Sequence, residues 1–204
     1  MGIAFDFTST PENPEDIHSG GGRPKPGRGM AIITKWSEYT GCNGKAHEVE
    51  FEIVAWTDKE SVAMKHTENI FHEDRTGKGW PMRRMTCLSM AAGLFNANDV
   101  RRWKAEGSAP EIDMSPIEGR PVMIELIEVP DEKNPGKTFI NIGNIGLGFW
   151  HCKDPKTKDW PRNQSVLNQH LAKIGEWVTE KKADTKAEPA KAAAGTGAAD
   201  PFAV

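Results

Sequence analysis

The stretch "HEVEFEIVAWT", residues 47–57, alternates without a break. Val49, Phe51, Ile53 and Ala55 fall on one face of an extended chain, and Glu48, Glu50, Glu52 and Trp56 on the other. A period of two marks a strand buried on one side. Such a strand needs partners, and both flanks offer them. "MAIITKWSEYT" (30–40) has strand composition and is followed by the turn "GCNG" (41–44). "SVAMKHTENIF" (61–71) is a weaker strand, closed by "HEDRTGKGWP" (72–81). The three segments predict a meander.

Beyond this point the period changes. "WPMRRMTCLSMAAGLFN" (80–96) puts Met85, Leu88, Ala92 and Phe95 on one helical stripe, and Pro81 suits a first turn. "NANDVRRWKAEG" (96–107) reads as a second short helix, with Asn98 or Asp99 as cap and Gly107 as stop. Strands return in "GRPVMIELIEVPD" (119–131) and "TFINIGNIGLGFWHC" (138–152), joined by "EKNPGK". "NQSVLNQHLAKIGEWVTEKK" (163–182) predicts a C-terminal helix with Leu167, Leu171, Ile174 and Val178 as its stripe. The class is therefore mainly β. The order β-β-β-α-β-β suits a five-stranded OB-fold-like barrel with a helix between strands 3 and 4. An open α+β sheet shares that order.

Flanking this centre, residues 1–29 read as a flexible arm, acidic and then basic. Residues 30–162 form the expected OB-fold domain, 163–182 its added helix, and 183–204 a disordered tail without apolar period. A mean hydropathy of −0.58 fits a globular centre diluted by such ends. No apolar run of about 18 residues is present, and the first residues lack the basic start and apolar stretch of a secretory signal. Cys42, Cys87 and Cys152 are odd in number and widely spaced, which predicts reduced thiols in a cytoplasm. No cofactor or metal is expected from their spacing.

The net charge of −3 hides an uneven distribution. Residues 1–22 hold four acids (Asp6, Glu12, Glu15, Asp16) and no Lys or Arg. Residues 75–104 hold seven bases (Arg75, Lys78, Arg83, Arg84, Arg101, Arg102, Lys104) against the single acid Asp99. Local fields rather than totals steer a polyanion. Arg83, Arg84, Arg101, Arg102 and Lys104 are the expected phosphate contacts. Single-strand binders stack bases on aromatic faces beside such cations. The candidates are Trp36, Tyr39, Trp56, Phe139, Phe149 and Trp150. Phe139 alternates against Ile140 and Ile142 and is expected to face outward with Asn141.

Nothing points to catalysis. No GxSxG, HExxH or SxxK motif occurs. The glycines of "NIGNIGLGFW" (141–150) interleave with strand residues and lack a following P-loop lysine. They predict a sharply coiled, bulged strand or a close backbone approach to a ligand. His47, His66 and His72 sit where neighbouring strands could bring them together.

"PGRGMAIITKW", "HEVEFEIVAWT" and "KTFINIGNIGLGFW", with the arginine-rich helix between them and a tail closing on "DPFAV", resemble phage-encoded single-stranded-DNA-binding proteins. The resemblance covers residues 25–152 and the logic of the tail. It implies an OB-fold core that binds and protects single strands in replication or recombination, in the cytoplasm of a bacterial host. It also implies a tail that recruits replication or recombination proteins, here through Asp200, Pro201 and Phe202. This tail departs from the acidic pattern: residues 163–204 carry five Lys and five acids, and Ala203 and Val204 follow Phe202. A partner encoded alongside the protein is therefore expected. The alternative is an adaptor that docks replication proteins without primary nucleic-acid binding.

Overall fold

The computed structural model describes residues 23–41, 44–73, 77–107 and 110–174. The acidic arm to residue 22, Cys42, Arg75, the expected helix from residue 175 and the Asp200-Pro201-Phe202 peptide lie outside them. β1 (Gly27–Gly41), β2 (Gly44–Trp56) and β3 (Lys65–Phe71) form the meander. β1 thus begins inside the stretch read as an arm, and β3 starts later than expected, after a 3-10 turn at Lys59–Ser61.

Helix α1 (Trp80–Ala91) carries Pro81 in its first turn and ends before the left-handed Gly93. It is shorter than the stretch 80–96. Helix α2 (Ala97–Glu106) is capped by Asn96 rather than Asn98 or Asp99. The Asn96 side chain accepts from the N–H groups of Asn98 and Asp99, and Asp99 answers by accepting from the Asn96 N–H. That reciprocal box fixes the first turn, and left-handed Gly107 closes the helix as expected.

β4 (Pro121–Pro130) returns beside β1, and β5 (Thr138–Ile142) pairs with β4. The expected single strand 138–152 is broken. A one-turn helix, α3 (Gly143–Gly146), intervenes before β6 (Phe149–Trp150), which also pairs with β4. Gly148 donates its N–H to the Gly143 carbonyl at 3.0 Å. A Cβ on Gly148 would stand 2.9 Å from that oxygen. The close approach is thus of the chain to itself, and only glycine permits it.

The result is a six-stranded antiparallel open sheet ordered β3-β2-β1-β4-β5, with β6 on β4. The five-strand expectation is corrected by the split of the last strand. β3 and β5, the ends of the path, do not pair with each other among the described residues.

Two bulges set which side chains meet the core. Met30 faces Ala55 and Ala31 faces Ile53, so Val54 is an extra residue in β2. The alternation flips there. Trp56, expected outward, turns inward and is 3% exposed among Ile53, Phe51 and Val49. A second slip leaves Thr34 extra in β1, so Ile33 and Trp36 both face inward. The inner core is completed by Leu88, Ala91 and Ala92 of α1 and by Val122, Ile124 and Leu126 of β4.

A smaller core covers the outer face at one end. Met30, Met123 and Cys152 are buried there beneath Trp150, Trp160, Val166 and Leu167. β4 therefore has both faces covered from Pro121 to Ile124, which explains its unbroken apolar run. The segment that covers it includes helix α4 (Gln164–Gln169), much shorter than the expected 163–182, followed by a 3-10 turn at Leu171–Lys173. Arg120 ties this segment down: it donates to the carbonyls of Pro116, Ala92, Gly93 and Lys173. His151 donates from Nε2 to the Ile174 carbonyl at 2.6 Å and accepts the Lys153 N–H at Nδ1.

Candidate nucleic-acid interface

Past the Thr34 bulge, β1 and β2 lose the cover of the outer core. Their outer face becomes a lattice of opposite charges. Lys35 meets Glu48 at 2.5 Å, and Lys65 meets Glu50 at 2.8 Å. The hydrogen bonds from Lys65 and Thr34 hold the Glu50 carboxyl below its ordinary range. Two of the strand glutamates that would repel a polyanion, Glu48 and Glu50, are therefore matched by lysines across the strands.

The inner face of the same region carries rings. Trp36 stacks on His47 with centroids 4.3 Å apart and planes 18° from parallel. His47 meets His72 at 4.6 Å. Burial lowers the pKa of His47 and the neighbouring His72 charge lowers it further, favouring the neutral ring. His72, tilted 46° from the His47 plane, is the exposed end of this row. It borders a hollow of about 370 Å³ whose other wall is the start of α1: Gly79, Pro81, Met82 and Met85. His66 does not join. It lies against Phe51 and donates to Glu68 at 3.3 Å.

On the first turns of α1, Arg83 is exposed, and its guanidinium lies 5.6 Å from the centre of the Trp80 ring. That arrangement is a cation–π contact. Arg84 does something else. Its Nη2 meets Glu68 at 2.8 Å, its Nη1 donates to the Asn69 carbonyl of β3, and its Nε donates to the Gly146 carbonyl after β5. One guanidinium bridges the two ends of the sheet path. Burial would raise the pKa of Glu68, but His66 and Arg84 outweigh it and hold the carboxylate ionised. Beside this bridge, Trp80, Ile127, Val129 and Asn141 line a cleft of about 420 Å³.

The remaining candidates divide as follows. Tyr39 is 40% exposed and Phe139 37%, the latter opposite Val129 while Ile140 and Ile142 turn to the core. Phe149 is buried against Phe51. Trp150 is half-buried, edge-on to Trp160, whose ring also carries Arg28 at 5.5 Å. Arg101 bonds the neutral Asn98 side chain, and Arg102 pairs with Asp99. Arg83, Arg101 and Lys104 make no ion pair among the described residues. Trp56, Phe149 and Arg84 are thus structural in position, because core packing and the β3–β5 bridge occupy them.

Sequence reasoning passed over Trp80 and Trp103. Trp80 directly precedes Pro81, a position where a ring escapes the helix's apolar stripe. Among the described residues no three metal-ligating side chains converge, and no helix is long and apolar enough to cross a membrane. Burial pushes the Cys152 thiol up to about 12, so it stays protonated. No protein-family model matches this sequence, and none of the curated proteins compared with it is similar.

Proposed function

We propose that this protein binds single-stranded DNA without sequence preference, as a non-enzymatic partner of phage replication or recombination in a bacterial cytoplasm. The observation that carries the reading is the row of rings in which Trp36 stacks on His47 and His72 lies tilted against it, exposed and adjoining the most basic stretch of the chain. Bases would stack on the exposed His72 ring at the end of that row, and Arg83, Arg101 and Lys104 would take the phosphates. The strand order supports an OB-like barrel. Cutting such a barrel between its third and fifth strands leaves the path β3-β2-β1-β4-β5, and Arg84 spans that cut. The Asp200-Pro201-Phe202 peptide would tether a replication protein near the bound strand.

The test is a titration of labelled oligo(dT) and an equal duplex at two salt concentrations, following tryptophan fluorescence. Preferential, salt-sensitive binding of the single strand with quenching is expected. Equal affinity for both would overturn the reading and leave the adaptor alternative.

A further inference from the structure

A groove between α1 and α2 opens beside the interface just described and shares Met82, Met85 and Lys104 with it. It has a volume of about 630 Å³ and is walled by Met82, Met85, Phe95, Trp103, Ile112 and Met114. Trp103 stands edge-on to Phe95, with centroids 5.2 Å apart. No residue of α2 is buried, so its apolar Val100–Trp103 stripe is only half covered. Met82 is 71% exposed at the mouth. Methionine-rich walls of this kind adapt to peptide side chains. Lys104 lines the same groove, and it makes no ion pair among the described residues.

The occupant must therefore be apolar with acidic flanks. The segment Ile3-Ala4-Phe5-Asp6-Phe7 has that chemistry. In an extended chain Ile3, Phe5 and Phe7 share one face and Asp6 takes the other. Glu12, Glu15 and Asp16 follow with no intervening base, against the seven bases and one acid of residues 75–104. Reach is ample. Fifteen residues lie between Phe7 and Arg23, and such a stretch spans about 50 Å when extended. A domain of this size is about 40 Å across. We propose that residues 3–16 dock in the α1–α2 groove of their own chain. The phenyl rings fill the methionine-lined floor, and Asp6 meets Lys104. Tethering supplies a high effective concentration.

The test uses the full chain, without nucleic acid, carrying Phe5→p-benzoylphenylalanine. Illumination and peptide mapping should find intramolecular links to Met82, Met85 or Met114. Lys104→Glu, an exposed change that leaves the fold intact, should lower that yield roughly twofold to fivefold. Links outside the groove, links only between two copies, or equal groove labelling from a probe at Phe202 would each overturn the proposal. Since no DNA is present, failure here is separate from failure of the single-strand reading.

Discussion

From Gly29 to Ile33, β1 has covered faces on both sides: Ala31 and Ile33 in the inner core, Met30 in the outer. From Lys35 to Gly41 the same strand is half-covered or exposed throughout. Its inner face there carries Trp36 against His47, and its outer face carries Lys35 against Glu48. One extra residue, Thr34, separates the two regimes. The near half makes stability by excluding water. The far half spends little on burial and leaves rings and charges accessible, as a recognition surface requires.

That contrast can be broken most forcefully at the near end. Phe51→Ala removes a fully buried ring stacked on Phe149 and should cost about 3–5 kcal/mol in urea unfolding. Arg84→Ala comes next. It frees Glu68 inside the fold and unties β3 from the turn after β5, and a loss of about 3 kcal/mol is expected. Arg83→Ala, its neighbour, should move stability by less than about 0.5 kcal/mol. It should still weaken single-strand binding and lower the salt slope by about 0.7. Equal stability losses for the two arginines would erase the distinction drawn between them.

At the far end the readout changes from stability to binding. Trp36→Ala should weaken oligo(dT) binding by about 1–3 kcal/mol, measured by anisotropy. Unchanged affinity with lost stability would move Trp36 to the core's side of the comparison. A pH series sharpens it further. His47 and His151 are both held below the ordinary histidine value, chiefly by burial. As pH falls below about 6.5, the unfolded chain takes up these protons first. Stability present above that pH therefore declines as pH falls through the folded values. The urea midpoint should be flat between about pH 7 and 8 and lower at pH 5.5. A midpoint that rises on acidification would contradict the burial of both rings.

Much of the frame was legible in residue spacing. Alternation located β2, strand composition located most of β1, Pro81 marked the start of α1, and Gly107 marked the end of α2. The bulges were not, because an extra residue such as Val54 leaves no mark in composition yet reverses every side chain beyond it. Trp56 was misplaced for that reason alone. Arg84 was equally opaque. Its spacing matches that of Arg83, and only the tertiary approach of β3 to the turn after β5 assigns it carbonyls instead of solvent. The outer core could not be read either, since it depends on a C-terminal segment folding back across β4.

Cys152 gives this last arrangement a clock. It is 1% exposed under the segment that Arg120 and His151 anchor, with its thiol pushed up to about 12. In a chain with Cys42 and Cys87 replaced, a thiol reagent can reach it only when that strap lifts. The labelling rate therefore counts strap openings, and its urea dependence reveals whether the strap peels alone or only with the whole sheet.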